Sequence, residues 1–532
     1  MKVTDDLKIA SIFNTNFTSN KIPRQYRKEQ KLMKMELRRQ KQNKHPHLIS
    51  TERIFYEPFN QSELNSAINK MNSNKAPGPD KIFPEFIKHL GTKAKAVLLN
   101  FYNYVWKTSV PAGWKKAVII PVLKPGKSAN DITNYRPISL TSHLAKIMER
   151  MISTRLNWFL ETHNLLSPSQ AGFRRNHSTN EQVILLSQDI KEAFNNKEDT
   201  LAVFVDLKSA YDNVWRCNLI RKLQQMGITG NMLRWISEFV GQRYCATSYG
   251  TATSRYKQTH LGLPQGAVLS TTLFNIYIND LPQQAEKVGV KTALFADDLI
   301  IWSSQKTNKT EKLKTKIQTA LEELESWCKN NLMNVNTTKT NFQLFSLRKT
   351  PVEIILHYGD TILQRTENAK YLGVYFDKKL TWKDHIEYLT KKATNRFKLL
   401  KRLAGTKWGS SRKTLNTTYN IYIKPVLKYC GEILISSSNT NKELLEHTQN
   451  QALHLITGAV KTTPIAALQA ITSNKPIMLE LETQALLTYE KLIRLQNSDK
   501  WNKYQNSKHT LKTQNGFIQE AIKFSEKLFH KS

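Results

Sequence analysis

Two adjacent aspartates inside an apolar frame, Phe295-Ala296-Asp297-Asp298, limit what this chain can fold into more than any other feature. The surrounding stretch, Thr292–Trp302, runs apolar, acid-acid, apolar, the layout of a strand, a tight turn and a second strand. Unpaired charge is costly to desolvate, so two carboxylates at the tip of a buried hairpin need a cation nearby. A solvated Asp-Asp turn is the ordinary alternative, and a third acid with its own frame weighs against it. Asp206 ends the run Leu201-Ala202-Val203-Phe204-Val205, whose β-branched and aromatic bias predicts a central strand. A helical pattern through Trp215, Leu219 and Leu223 follows. If strand and hairpin are neighbours, three carboxylates converge into the all-oxygen environment that Mg²⁺ takes, with substrate phosphates completing the shell. Taken alone, Asp206 reads equally well as a strand-end helix cap.

Further motifs stand in a fixed order around these acids. They are Lys75-Ala76-Pro77-Gly78-Pro79-Asp80, Ile119-Ile120-Pro121-Val122-Leu123-Lys124-Pro125-Gly126-Lys127, Asn134-Tyr135-Arg136-Pro137-Ile138-Ser139-Leu140 and Gln170-Ala171-Gly172-Phe173-Arg174. Gly262-Leu263-Pro264-Gln265-Gly266 lies between the acidic motifs, and Lys339-Thr340 and Tyr371-Leu372-Gly373-Val374 follow them. The ordered set resembles the reverse transcriptase of non-LTR (LINE-type, jockey-like) retrotransposons, over roughly residues 60–380.

The resemblance implies an α+β, right-hand polymerase with fingers, a palm built on an antiparallel sheet, and a helical thumb. On that pattern 1–60 is a basic N-terminal extension, 61–200 an N-terminal segment and fingers, and 201–376 the palm, the reverse transcriptase domain spanning about 104–376 overall. Residues 377–460 form the helical thumb and 461–532 a C-terminal helical and basic segment. The implied activity is RNA-directed DNA synthesis from dNTPs with two Mg²⁺ ions, Mn²⁺ being a substitute. The implied partners are an RNA template and a DNA primer or nicked target DNA.

Family likeness also assigns roles. Asp206, Asp297 and Asp298 are the catalytic acids and metal ligands, Asp298 the least direct because strand neighbours point to opposite faces. The Leu207 carbonyl is an extra ligand. Lys339 matches a lysine that protonates departing pyrophosphate. Lys124 and Arg136 match the residues that hold the triphosphate, a point charge and a bidentate fork; a surface lysine is the plain alternative for Lys124. Tyr211 lies where the family places an aromatic that excludes a 2′-hydroxyl. Gln265 and Gly266 bring side chain and backbone close to template and nucleotide. Asp212 reads as a helix N-cap. Phe173 and Tyr371–Val374 match template-side and primer-grip elements, and each reads equally as core.

The rest of the chain is read by pattern. Leu64, Ala67, Ile68 and Met71 predict a helix, as do Leu140, Leu144, Ile147, Met148, Met151 and Leu156. Ile386, Leu389, Ala393, Phe397, Leu400 and Leu403 form an apolar stripe among Lys391, Lys392, Arg396, Lys398, Lys401 and Arg402, a core side and a phosphate-tracking side. Leu481, Ala485, Tyr489, Leu492 and Leu495 predict a further helix. Between Lys21 and Lys44 basic residues far outnumber Glu29 and Glu36, either a solvated basic helix or an RNA-binding or nuclear-import segment.

Composition agrees. A net charge of +36 over 532 residues favours a polyanionic partner. Four scattered cysteines supply neither a zinc knuckle nor a disulfide framework. No apolar stretch has transmembrane length. The expected setting is nucleus, cytoplasm or both, with no membrane partner. Nothing ahead of residue 50 is large enough for the endonuclease that such elements carry, so a truncated copy is expected. The competing readings are a catalytically inactive nucleic-acid-binding relic and an RNA-dependent RNA polymerase, the latter opposed by Tyr211 and by Leu-Pro-Gln-Gly.

Overall fold

Six consecutive apolar or β-branched positions, Thr200–Val205, make one strand the centre of a sheet. In the computed structural model this strand is β3 (Glu198–Asp206), buried along nearly its whole length. The structure describes residues 5–40, 50–350, 352–405, 409–494, 499–505, 511 and 513–529. They divide into two units: Met1–Ser167, Leu207–Leu281 and Trp327–Asn334 in the first, and Pro168–Asp206, Pro282–Ser326 and Val335–Ser532 in the second. Both are mixed α and β, with sheets that are mainly antiparallel. Among the described residues no helix is long and apolar enough to cross a membrane.

The first unit is built on β1 (Lys116–Leu123), β2 (Tyr135–Leu140), β4 (Arg243–Tyr249), β5 (Ala252–Thr253) and β6 (Lys257–Thr259). Their order is β2-β1-β4-β5, with β6 also on β4. β1 runs antiparallel to β2 and parallel to β4. Helix Asp6–Phe17, capped by the Asp5 side chain, buries Ala10, Phe13 and Asn14 and packs on β4. Asn14 donates through Nδ2 to the Arg255 carbonyl at 2.9 Å. The basic stretch after it forms helix Arg27–Gln40, while 41–44 lies outside the described residues. Helix Gln61–Asn69 closes its N-terminus with a reciprocal Asn60–Glu63 capping box and buries Leu64, Ala67 and Ile68, with Met71 buried just beyond. The next expected helix is His143–Thr162; Leu140 is not in it but ends β2, because Ser142 caps the helix through Ala145 N.

In the second unit β7 (Lys291–Phe295), β8 (Asp298–Lys306), β9 (Asn341–Phe345), β10 (His357–Tyr358), β11 (Thr361–Ile362), β12 (Gln364–Arg365), β13 (Asn368–Tyr371) and β14 (Val374–Asp377) join β3. The main sheet has the order β12-β9-β3-β8-β7, antiparallel except for β12 on β9. Helix Thr179–Asn195 covers it with Val183, Ile184, Leu186, Ile190 and Phe194. The same core continues into helix Lys383–Leu403, where Ile386, Leu389, Ala393, Phe397 and Leu400 are buried as the stripe predicted. It runs on through helix Ile477–Ile493, which buries Leu481, Ala485, Tyr489 and Leu492; Leu495 lies outside the described residues.

The C-terminal residues belong to that core. Trp501, Tyr504, Phe517, Ile518 and Ala521 are buried in it beside Trp302 and Phe204. Tyr504 donates to the Asp189 carboxylate, which also accepts from Trp302 Nε1 at 2.9 Å and Lys291 Nζ at 2.8 Å. Trp501→Ala is expected to cost about 3–5 kcal/mol of unfolding free energy, read as a lower urea midpoint with an unchanged slope. A midpoint equal to that of the unsubstituted chain would contradict the burial of helix Asp499–Gln505 in this core.

Candidate active site

The acidic hairpin forms as the sequence predicts. β7 and β8 are joined by the two residues Ala296 and Asp297, with Phe295 opposite Asp298 as the last pair. On the other side of β8, Asp298 stands directly opposite Asp206, the final register pair of β3 and β8. Directly opposed residues share a face of the sheet and lie about 4.5–5.5 Å apart at Cβ. Asp298, ranked lowest of the three from strand alternation, is thus the cross-strand partner of Asp206, and Asp297 sits in the turn. Strand alternation between Asp297 and Asp298 does not apply, because β8 begins only at Asp298.

The end of β3 is pinned from the 336–340 loop. Asp206 N donates to Thr340 Oγ1 at 3.1 Å, its carbonyl accepts from Asn336 N at 2.7 Å, and Lys339 Nζ lies 3.6 Å from its Oδ2. The Lys339 side chain is otherwise 67% exposed. Burial, and then the Asp206 charge, raise the Asp297 carboxyl above the ordinary range. Asp298 is pushed up to about 6 by burial first and then by Asp297 and Asp206, although its tip keeps contact with solvent. Desolvation is the larger cause of both shifts, and the repulsion between neighbouring negative charges adds to it.

Among the described residues no three His, Cys, Asp or Glu side chains form a ready-made cage for an ion. Mg²⁺ does not need one: one or two carboxylates suffice, with water and substrate phosphates filling an octahedron. An all-oxygen set in which burial and neighbouring negative charge raise the Asp297 and Asp298 carboxyls fits that ion. The Leu207 side chain is buried, and the residue follows Asp206 at the point where the chain passes from the second unit into the first.

The nucleotide-side candidates lie in the first unit. β1 and β2 are joined through a turn in which Lys127 N donates to the Lys124 carbonyl, with Gly126 at φ +72°. Val122 pairs with Arg136, and Lys124 N continues the ladder to the Asn134 carbonyl at 2.9 Å, so strand alternation sets Lys124 and Arg136 on one face. Lys124 Nζ donates to the Thr133 carbonyl at 2.9 Å. Tyr211 stacks on Phe274 at 4.3 Å and 15°. Gln265 donates through Nε2 to Asp212 Oδ1 at 2.9 Å, and its carbonyl accepts from Ser139 N at 2.8 Å.

Asp212 is therefore not an N-cap. Ser209 takes that place before helix Ala210–Asn213, and Asp212, its carboxyl raised by burial, orients Gln265 instead. The glycines of this motif serve protein packing: a Cβ on Gly262 would come within 2.8 Å of the Asp212 backbone, and one on Gly266 within 3.0 Å of the Ser139 carbonyl. Their φ values, +82° and +105°, exclude side chains as well.

Buried Arg216, which no motif announced, donates to the carbonyls of Gly241, Thr259, Leu261 and Gly262 and to Thr259 Oγ1. Burial, aided by Arg243, lowers its pKa to about 9. The loop it holds lines a cleft of about 600 Å³, partly open to solvent, that includes Asp212, His260 and Leu263–Gln265. Phe173 is exposed at φ +57°, whereas Tyr371 and Val374 are core.

Because the Asp298 carboxyl has a higher pKa folded than its ordinary 3.8, the unfolded chain loses that proton first. The ion-free fold therefore loses stability as pH rises from about 4 to about 6, and the loss is complete above that range. In chelator, Asp298→Asn is expected to melt above the unsubstituted chain at about pH 8 and level with it at about pH 3.5. Equal melting temperatures at both pH values would contradict the repulsion.

Residues 122–376 match the family model described as reverse transcriptase (RNA-dependent DNA polymerase). The chain is 31% identical over 409 residues to the probable RNA-directed DNA polymerase from transposon BS of Drosophila melanogaster, covering 75% of this chain and 45% of that protein. It is 29% identical over 411 residues to the probable RNA-directed DNA polymerase from transposon X-element of Drosophila melanogaster, covering 75% and 44%. It is 28% identical over 412 residues to the RNA-directed DNA polymerase from mobile element jockey of Drosophila funebris, covering 76% and 44%. The chain thus spans a little under half the length of these curated relatives. The acidic strand-and-hairpin unit, the ordered motifs and these likenesses agree: residues 122–376 match a reverse transcriptase domain, and the chain is similar to the polymerases of the BS, X-element and jockey transposons.

Proposed function

We propose that the chain is an RNA-directed DNA polymerase of a non-LTR retrotransposon, copying an RNA template into DNA from a DNA primer or nicked target. The observation that carries the reading is the register of Asp206 against Asp298, with Asp297 in the adjoining turn, inside a reverse transcriptase domain. Asp206, Asp297 and Asp298 would hold two Mg²⁺ ions, joined by the Leu207 carbonyl. When bound, such ions lower the pKa of the primer 3′-hydroxyl and stabilise charge on the leaving pyrophosphate.

The remaining work falls to this chain's side chains. Lys339, at the carboxylate of Asp206, is in place to give a proton to the leaving group. Lys124 and Arg136, on one face of the β1–β2 hairpin, bind triphosphate oxygens. Tyr211, held flat by Phe274, closes the space a 2′-hydroxyl would need, which favours dNTPs. Gln265, oriented by Asp212, addresses the template-side base with Gly266 behind it. The net charge of +36 supports an RNA partner and an affinity that falls with salt. Nucleus, cytoplasm or both is the setting such work requires.

Primer extension on an RNA template, with purified chain, Mg²⁺ and dNTPs, tests the reading. Asp297→Ala is expected to lower synthesis by at least about 10²-fold while RNA binding stays intact. Tyr211→Ala is expected to admit NTPs that the unsubstituted chain refuses. Absence of extension by the unsubstituted chain, with RNA binding preserved, would favour the inactive nucleic-acid-binding relic.

A further inference from the structure

The segment ahead of helix Thr179–Asn195 runs along the outer edge of β7. Gln170 bridges Leu294 in parallel register. Ala171 N donates to the Leu294 carbonyl, and Leu294 N to the Ser169 carbonyl, both at 2.9 Å. Beyond this bridge the Gln170 side chain, 1% exposed, turns onto the acidic turn. Its Oε1 accepts from Gly172 N at 2.7 Å and Ala296 N at 3.1 Å, and its Nε2 donates to the Ala296 carbonyl at 3.4 Å. One carboxamide thus holds both backbone polar groups of Ala296. Arg174 Nη1 in turn donates to the Gln170 carbonyl at 3.0 Å, fixing the brace from behind.

Ala296 needs such a hold. It is buried and sits at φ +57°, a left-handed conformation that L side chains adopt only at a cost. Gly172 lies against it so closely that a Cβ there would stand 2.2 Å from Ala296 N and 2.9 Å from the Phe295 carbonyl carbon. An apolar side chain in place of Gln170 would fill the space but leave the Ala296 N–H and C=O buried without this partner. Neither Gln170 nor Gly172 carries charge; their chemistry is directed wholly at the geometry of the turn.

We infer that Gln170, with Gly172 against the same turn, is a positioning residue: it locks Ala296 in the left-handed conformation that sets Asp297 and Asp298 against Asp206, and so sets the affinity of the three acids for divalent cations. The inference rests on the ion-binding role proposed above for those acids. Gln170 acts through the turn and touches no reacting atom. It resembles the outer-shell groups that orient metal ligands, whose loss weakens metal binding and activity together.

The test uses the full chain with Gln170→Met, which keeps the length of the side chain and deletes its three hydrogen bonds, and Gly172→Ala, which crowds the turn with Gln170 intact. Hydrogen exchange is read at 294–298 and at 198–205, Mn²⁺ binding by electron paramagnetic resonance, and kcat and KM for dNTP by primer extension. Each variant is expected to lose protection at 294–298 while 198–205 stays protected. Mn²⁺ affinity and kcat should both fall by about 10–100-fold, with far less change in KM.

Unchanged Mn²⁺ affinity in a folded variant overturns the inference, as does protection lost equally along β3. If neither variant folds, Gln170 is a folding residue and the inference also fails. If the unsubstituted chain neither extends a primer nor binds Mn²⁺, the polymerase reading fails separately. Exchange at 294–298 still reports then on whether Gln170 holds the turn.

Discussion

Carboxylates held opposite one another in a sheet repel, and the second unit is organised around keeping them there. The β3–β8 register decides it: a slip by one residue would turn every side chain of β8 to the other face and take Asp298 away from Asp206. Apolar pairs such as Val203 with Ile301 and Phe204 with Ile300 fix that register, and helix Thr179–Asn195 seals the sheet behind them. The Asp189 carboxylate, shared by Trp302, Lys291 and Tyr504, ties the middle of β8 to helix Asp499–Gln505. Burial in this frame offsets the charge repulsion that remains while no cation is bound.

The first unit applies the same logic to backbone. Of its nucleotide-side candidates, Gln265 and Gly266 sit on a turn, which holds its shape only where polar groups are satisfied. Arg216 satisfies four carbonyls ahead of Leu263, and Glu149, fully buried, accepts from Val268 N at 2.7 Å and Leu269 N at 3.0 Å just after Gly266. The Leu-Pro-Gln-Gly turn is thereby clamped on both sides. Each nitrogen of the buried Arg216 guanidinium has a partner, and Glu149 Oε2 accepts both amides, which offsets part of the cost of burying these charges.

Much of this was legible in the residues, for physical reasons. A continuous apolar run ending in an acid, a hairpin with two acids at its tip and a basic helix with an apolar stripe are local patterns with one cheap solution each. What stayed hidden depended on distant partners. Asp212 looks like a cap until Gln265, 53 positions away, claims its carboxylate. Nothing local to helix Asp6–Phe17 names β4 as the surface it lies on, and Trp501 and Tyr504 sit in a polar stretch whose burial only the core around β3 explains. Gln170 and Gly172 were visible as a family motif without a task, because the task is a contact with a turn 126 residues later. Family likeness ordered the motifs; only geometry separates the residues that hold from those that act.

On the polymerase reading proposed above, Asp206 and the hairpin acids hold the catalytic ions. The most direct test is anomalous scattering from Mn²⁺ in crystals of the chain with an RNA template, a DNA primer and an unreactive dNTP analogue. Anomalous peaks are expected in coordination contact with Asp206 and with at least one of Asp297 and Asp298. Peaks bound elsewhere, or none with the nucleotide in place, would contradict it.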